Sequence, residues 1–220
     1  MKRACYICIE GVEGVGKTTQ ARKLAEYLRN KGYKVLETKE PGTNHLPITM
    51  SLRQLMLDGS YDDSLTVPAR ELISQAIRSI HLEKLIVPAL SEYDFIIQDR
   101  GILSGYAYGV ACGNTMSFLK TITQNSVNSA FKKPNSPELI YDTVIYLRGN
   151  VSESLERAKA SKQEFMSGDV IESRGESFLA SVSGFMDSMS MMFKCITIDI
   201  DGKSADDVHL EILSKLKTRL

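Results

Sequence analysis

Short apolar runs alternate along the chain with longer segments in which apolar residues recur every three or four positions. The runs have the length and composition of buried β-strands, and turn residues such as Pro41 and Gly42 follow one of them. The pattern predicts five strands, at residues 5–9, 33–38, within 93–100, at 142–149 and at 195–201.

The segments between these runs predict helices. Apolar residues at helical spacing mark residues 18–31, and the longest such pattern covers residues 68–90. Pro68 suits the first turn of that helix, whereas Pro88 should kink or end it. The expected apolar face of the long helix consists of Leu72, Ile73, Ala76, Ile80, Leu85 and Ile86.

Further helices are predicted at residues 46–57 and 204–220. Residues 101–114 are expected to form a loop that turns into a helix, and the polar residues 125–137 a loop or an irregular helix end. The helical pattern at residues 152–192 contains a polar break, which is typical of a flap over a site and also of an ordinary surface loop. Strands that alternate with helices predict a three-layer α/β/α fold with a five-stranded parallel sheet and ligands at the carboxyl ends of the strands.

Composition narrows the class of protein. No linker-like stretch divides the 220 residues, so residues 1–220 are expected to form one domain. Lysine plus arginine and aspartate plus glutamate both total 27, so there is no overall positive charge to attract nucleic acid. The sequence offers no membrane span or signal peptide, and we expect a soluble cytoplasmic protein. Cys5 and Cys8 form C-x-x-C within a predicted strand, where they would point to opposite faces and act as core thiols.

The segment IEGVEGVGKTTQ at residues 9–20 carries the clearest chemistry. It fits G-x-x-x-x-G-K-[ST] at Gly11, Gly16, Lys17 and Thr18, between a predicted strand and a predicted helix. Backbone N–H groups and the positive end of the helix dipole then converge on one point, so the loop is expected to bind a triphosphate. The residues expected to contact ATP are Gly11, Val12, Glu13, Gly14, Val15, Gly16, Lys17, Thr18 and Thr19.

A series of segments in the same order resembles the thymidylate kinase family. These are IEGVEGVGKTTQ, TKEPGT, LRQLMLDG, IRSIHLEKLIVPAL, IIQDRGILSGYAYG and TIDID, which cover nearly the whole chain. The resemblance implies a P-loop nucleoside monophosphate kinase fold with a helical lid, here at about residues 159–177. It also implies transfer of a phosphoryl group from ATP to dTMP with Mg²⁺ as cofactor, and a homodimer.

The resemblance also implies roles for individual residues. Arg53 and Arg100 would hold the acceptor phosphate, with Arg78 near the base and the phosphate. Thr18 and Asp99 would hold Mg²⁺, although Asp99 could instead fix Arg100. The expected acceptor-binding residues are Glu13, Glu40, Pro41, Arg53, Arg78, Arg100, Ser104, Gly105 and Tyr108. The expected catalytic residues are Lys17, Asp99 and Arg100, with Arg174 as the preferred lid arginine and Arg157 as the second candidate.

The chain departs from the family at several positions. Ser74 stands where an aromatic residue stacks on thymine, and Gly105 where many members have a polar residue. The loop ends in Tyr108-Gly109-Val110 in place of Y-Q-G, and Arg148 replaces a usual aspartate. Three alternatives therefore stay open: a deoxynucleoside monophosphate kinase with altered or relaxed base choice, an ATP-driven switch, and an inactive binding paralogue.

Overall fold

The computed structural model describes residues 3–134, 139–162 and 174–217. Five strands form one sheet, each at a position where the sequence predicts a strand. Their bounds are β1 Cys5–Glu10, β2 Val35–Lys39, β3 Phe95–Asp99, β4 Thr143–Arg148 and β5 Ile196–Asp199. The order is β2-β3-β1-β4-β5, and every neighbouring pair is parallel, which confirms the predicted sheet.

Helices cover both faces of the sheet. Helix α1 packs on α9, whereas α5 packs on α6 and α8. Right-handed crossovers explain this division, because the connection from β1 to β2 runs in the opposite direction to the later connections. The helices are α1 Lys17–Asn30, α2 Pro47–Leu57, α3 Val67–His81, α4 Val87–Glu92, α5 Ile102–Ala111, α6 Met116–Phe131, α7 Val151–Lys162, α8 Gly175–Met192 and α9 Ala205–Lys217.

The topology creates a crevice at the carboxyl ends of β1 and β3. These strands are neighbours, but the chain leaves β1 for one face of the sheet and β3 for the other. The glycine-rich loop follows β1, and Arg100 follows β3. The fold therefore brings the two most distinctive polar segments of the sequence to the same place.

The predicted long helix is interrupted before Pro88. A turn of π-helix, Leu82–Ile86, joins α3 to α4, and Pro88 lies in the first turn of α4. The lost regularity is consistent with a proline, which has no N–H to donate within a helix.

The expected apolar face of α3 is wrong in part. Leu72 is 51% exposed, and the buried residues of this helix are mainly polar. Part of this face lines a cavity, and its polar side chains are buried because they hydrogen bond to one another, to Thr123 and to Glu40. The buried residues of α3 are Glu71, Gln75, Ile77, Arg78 and His81.

The expected loop or irregular end at residues 125–137 is also wrong in part. Helix α6 continues regularly to Phe131, and Leu119, Thr123, Val127 and Ala130 form its buried stripe. The polar residues that suggested a loop occupy the outer face of this helix. Residues 135–138 of the expected loop lie outside the described residues.

Cys8 is fully buried in the core and Cys5 is partly buried, and neither forms a disulfide, as expected for thiols of a core strand. None of the helices in the described ranges combines the length and the apolar character that a membrane crossing requires.

Candidate active site

The glycine-rich loop joins β1 to α1 and packs against α7. A Cβ atom at Gly14 would lie 1.8 Å from the backbone oxygen of Ser154, and Gly14 has a positive φ of 77°. Only glycine allows this close approach of the loop to α7. The Arg157 side chain, also on α7, donates to the Gly14 carbonyl at 3.2 Å. The shape of the loop is thus fixed by a second element.

Lys17 lies buried inside the loop. Its Nζ donates to the Val12 carbonyl oxygen at 2.6 Å. Burial and the nearby Arg100 guanidinium lower the pKa of Lys17 to about 7. A phosphate beside this amine would favour its charged form, because an opposite charge offsets both effects.

Thr18 and Asp99 form a pair at the mouth of the loop. Thr18 Oγ1 donates to Asp99 Oδ2 at 2.5 Å, and Asp99 is 8% exposed. Asp99 Oδ1 is buried and has no hydrogen-bond partner within the described parts of the chain. An oxygen pair with an unsatisfied carboxylate oxygen fits Mg²⁺, which is commonly held by one or two protein oxygens together with substrate phosphates. Both roles of Asp99, as a magnesium ligand and as the residue that fixes Arg100, stay predictions.

An open cavity lies on the other side of Arg100. It brings together every residue that the sequence predicts for acceptor binding, from five separate segments of the chain, and Arg174 from a sixth segment lies in the same wall. The predicted residues in its lining are Glu13, Glu40, Pro41, Arg53, Arg78, Arg100, Ser104, Gly105 and Tyr108. Their individual roles remain predictions.

Arg100 stands between the loop and the cavity. Its backbone has a positive φ of 64°. Its Nη1 lies 3.4 Å from both the Gly11 carbonyl oxygen and the Tyr108 hydroxyl, and its Nη2 lies 4.0 Å from Glu13 Oε1. The guanidinium also lies over the Tyr108 ring, 5.3 Å from its centroid. Arg100 is therefore held against both sides of the site at once.

Arg78 is held by a buried polar network. Arg78 Nε donates to Glu40 Oε2 at 2.9 Å, and His81 Nδ1 lies 2.9 Å from Glu40 Oε1. His81 Nε2 in turn lies 2.9 Å from Thr38 Oγ1. Burial alone would raise the pKa of Glu40, but Arg78 and His81 outweigh it and the pKa is lowered to about 2. Glu40 is thus a permanent anion at neutral pH.

One nitrogen of the Arg78 guanidinium makes no hydrogen bond within this network. Its Nη2 donates to the Gly101 carbonyl at 3.3 Å, whereas its Nη1 is buried without a hydrogen-bond partner in the portion of the chain described here. A buried unpaired donor is costly. Arg78 also belongs to the cavity lining, so its positive charge acts on that space.

Gly105 permits this position of Arg78. A Cβ atom at Gly105 would lie 2.8 Å from Arg78 Nη2 and 3.2 Å from Nη1. The departure from the family at this position therefore has a structural reason. Arg53 reaches the same region from α2, and its Nη1 donates to the Pro41 carbonyl at 2.9 Å.

The Ser104 hydroxyl makes a buried hydrogen bond to Glu10. Ser104 Oγ donates to Glu10 Oε2 at 2.5 Å, and the residue is 6% exposed. Glu10 is the last residue of β1 and is fully buried, and burial raises its pKa.

The two lid arginine candidates lie on different sides of the site. Arg157 contacts the loop through Gly14, and Arg174 lies in the cavity wall with its guanidinium 5.2 Å from the Phe178 ring centroid. Residues 163–173 of the predicted lid at residues 159–177 lie outside the described residues. The choice between the two arginines stays a prediction.

Sequence reasoning missed three polar residues of the site: Glu10, Glu71 and His81. Glu71 lines the cavity beside Ser74, is 8% exposed, and burial raises its pKa. Its Oε1 accepts a hydrogen bond from Gln75 Nε2 at 3.0 Å. A helical spacing signal was present, because Glu71, Ser74 and Arg78 recur at intervals of three and four and His81 follows three positions later.

Comparisons with known proteins agree with this geometry. Residues 9–212 match the family model described as thymidylate kinase. The chain belongs to the thymidylate kinase family. This confirms the resemblance that the sequence motifs indicate.

Individual relatives point to the same family. A "Probable thymidylate kinase" of Pyrococcus horikoshii is 39% identical over 159 residues, which are 71% of each chain. A thymidylate kinase of Caldicellulosiruptor saccharolyticus is 32% identical over 91% of this chain and 90% of its own. The crystal structure of thymidylate kinase from Ehrlichia chaffeensis has a TM-score of 0.71 at 24% identity and covers 97% of this chain and 99% of its own. The last comparison supports the P-loop kinase fold.

Proposed function

We propose that this protein transfers a phosphoryl group from ATP to dTMP, giving dTDP and ADP. The observation that carries the proposal is the position of Arg53, Arg78 and Arg100 in one cavity that adjoins the phosphate loop. Two polyanions must approach each other in this reaction, so cationic groups are needed on the acceptor side as well as the donor side. Membership of the thymidylate kinase family supports the same reaction.

The donor side consists of the loop, Lys17 and the cation site. The backbone N–H groups of the loop and the start of α1 would hold the phosphates of ATP, with the Lys17 ammonium as the point charge. Thr18 and Asp99 would hold Mg²⁺, which supplies positive charge to the β- and γ-phosphates.

The acceptor side consists of groups that are already in place. Arg78 and Arg100 are fixed by Glu40 and by the Gly11 carbonyl, so little reorganisation is needed when a monophosphate enters. Glu13 and Tyr108, in the same wall, are the proposed contacts to the sugar. Arg174 remains our preferred lid arginine, and Arg157 is the second candidate because it adjoins the loop.

One observation favours a second candidate function. The cavity wall on α3 carries Ser74 and the buried carboxyl of Glu71, where family members have an aromatic ring at the first of these positions. Stacking on a ring contributes about 1–3 kcal/mol per base in single-strand binding. A wall without that ring and with polar groups favours a deoxynucleoside monophosphate kinase with relaxed base choice.

A coupled assay with ATP, Mg²⁺ and the acceptors dTMP, dCMP, dGMP and dAMP separates these functions. We expect the highest kcat/KM for dTMP. Equal values for the four acceptors would support relaxed base choice and contradict the narrower assignment. ATP hydrolysis without any phosphorylated acceptor would indicate a switch, and nucleotide binding without turnover an inactive paralogue.

The assembly and location are parts of the same proposal. Ile48 and Leu55 on α2 and Leu72 on α3 are 57%, 40% and 51% exposed, which supports a homodimer formed through these helices. Light scattering coupled to gel filtration would show a monomer if this is wrong. None of the four cysteines, which all lie within the described residues, forms a disulfide, as in proteins of the reducing cytoplasm, where we expect the enzyme to act.

A further inference from the structure

A buried carboxylate connects the strand that carries the phosphate loop to the helix that carries part of the acceptor wall. Glu10 Oε1 accepts hydrogen bonds from the backbone N–H groups of Leu103 at 3.0 Å and Ser104 at 3.3 Å. Glu10 Oε2 accepts from Ser104 Oγ at 2.5 Å. We call these three hydrogen bonds the Glu10 bridge.

The position of the bridge gives it a geometric consequence. Glu10 immediately precedes Gly11, whose carbonyl lies 3.4 Å from Arg100 Nη1. Leu103 and Ser104 lie in the first turn of α5, whose next residue, Gly105, packs against the Arg78 guanidinium. A shift at the bridge would therefore move the phosphate loop relative to the acceptor wall.

The Glu10 bridge consists of hydrogen bonds at a position where apolar packing would cost less free energy. A fully buried carboxylate costs free energy, and an apolar side chain of similar volume often replaces one without loss of stability. The first N–H groups of α5 could be capped locally by a side chain at the helix start, but Gly101 occupies the N-cap position and has none. The acceptor for these N–H groups is Glu10 on strand β1, 93 positions before Leu103 in the sequence.

We infer that Glu10 is a positioning residue that sets the separation between the phosphate loop and the acceptor wall, and that it acts by the reach of its side chain. This inference rests on the proposed kinase function. It assigns no contact with either nucleotide to Glu10.

Two substitutions at Glu10 distinguish an effect of side-chain length from an effect of side-chain charge. Glu10→Gln keeps the length: its amide oxygen accepts the two N–H bonds, and its NH₂ donates to Ser104 Oγ. Glu10→Asp keeps the charge but is one methylene too short to span both contacts. We expect Glu10→Gln to retain kcat/KM for dTMP within about threefold, and Glu10→Asp to lose about 10²-fold, the effect of a small misplacement of reacting groups.

The affinity of ADP, followed with a fluorescent analogue, should stay within about twofold in both variants, since ADP contacts only the loop side. Asp142→Ala is the matched control. The Asp142 carboxylate accepts from Tyr6 N–H at 2.8 Å at the other end of β1, so this variant loses a similar bond far from the cavity. It should leave kcat and both KM values unchanged.

Two kinetic outcomes would contradict the inference. Wild-type kinetics in Glu10→Asp with a lowered melting temperature would mean that the bridge only stabilises the fold. Equal losses in Glu10→Gln and Glu10→Asp would mean that charge matters more than reach. If the wild-type protein phosphorylates no monophosphate, the proposed function fails instead, and equilibrium binding of dTMP to the same three variants decides the inference.

Discussion

Arg100 is the residue on which the two halves of the site depend most. It lies within hydrogen-bonding distance of Gly11 in the loop and Tyr108 in the cavity wall, and near Glu13. A guanidinium in this position can neutralise charge on a phosphoryl group during transfer between the two nucleotides.

We predict that Arg100→Ala lowers kcat/KM for dTMP by at least about 10³-fold, because an arginine that stabilises transferring phosphate contributes about 10³–10⁵ in related reactions. Steady-state kinetics with ATP and dTMP measure this loss. The control is Arg148→Ala, which removes an exposed ion pair with Asp199 and should leave turnover unchanged. Wild-type activity in the Arg100→Ala variant would contradict the assignment of Arg100 to the acceptor site.

Gly105 offers a test of the packing around Arg78. Gly105→Ala places a methyl group 2.8 Å from Arg78 Nη2, and the guanidinium has little freedom to move because Glu40 and Gly101 hold it. We expect the KM for dTMP to rise about tenfold, a loss of about 1.4 kcal/mol, with little change in the KM for ATP. Gly184→Ala is the control, since a Cβ there meets nothing within 4 Å. An unchanged KM for dTMP in Gly105→Ala would show that the displaced guanidinium does not bind the acceptor.

For single residues, the sequence predicts motifs whose members are neighbours in the chain. It does not predict hydrogen bonds between residues that are far apart in the chain. The residues of the loop follow from spacing alone, since Gly16, Lys17 and Thr18 are neighbours in the sequence. The partners of Glu10 and His81 lie 94 and 41 positions away, so only the folded chain brings them together.

Among the elements, α3 shows most clearly where periodicity misleads. The apolar pattern placed Leu72 inside, yet the buried face carries Glu71, Arg78 and His81. Hydrophobic spacing assumes that a buried face packs on an apolar core. Here part of the face lines the cavity and pairs with Glu40 from the segment after β2, so an ion pair and a hydrogen bond take the place of apolar contacts.

The pairing of α3 with Glu40 predicts a pH dependence of stability. The pKa of Glu40 is about 2 in the folded protein and close to 4.5 in an unfolded chain. The ionised carboxylate therefore stabilises the fold fully above pH 4.5, and this contribution is lost as the pH falls from 4.5 towards 2. Urea unfolding should show a loss of about 2 kcal/mol between pH 5 and pH 3 that is missing in Glu40→Gln. Identical pH slopes for the two proteins would contradict this account of the network.

Helix α6 shows that polar composition can suggest a loop where the chain forms a helix. Its polar residues suggested a loop, but hydrogen bonds such as Ser126 Oγ to the Ile122 carbonyl at 3.1 Å satisfy them on the helix surface. The buried stripe of Leu119, Thr123, Val127 and Ala130 decided the structure. Composition alone was a weaker guide than the spacing of these four residues.

For the whole molecule, the sheet order explains why the site lies where it does. The chain leaves β1 and β3 for opposite faces, so the segments that follow them border one crevice. The alternation of strands and helices made this arrangement predictable, because parallel strands with right-handed crossovers allow few topologies. The shape of the acceptor cavity was less predictable, since six separate segments contribute to it.

The central claim is that the acceptor phosphate binds in line with the phosphates of ATP. The most direct test is the affinity of a bisubstrate compound in which adenosine and thymidine are joined by five phosphates, measured by isothermal titration calorimetry with Mg²⁺. We predict binding at least about 10²-fold tighter than that of ATP or dTMP alone, since one molecule then engages both halves of a preformed site. Lys17→Ala and Arg100→Ala should each remove most of this gain. Binding no tighter than that of ATP would show that the two phosphate sites do not face each other, and would contradict the account.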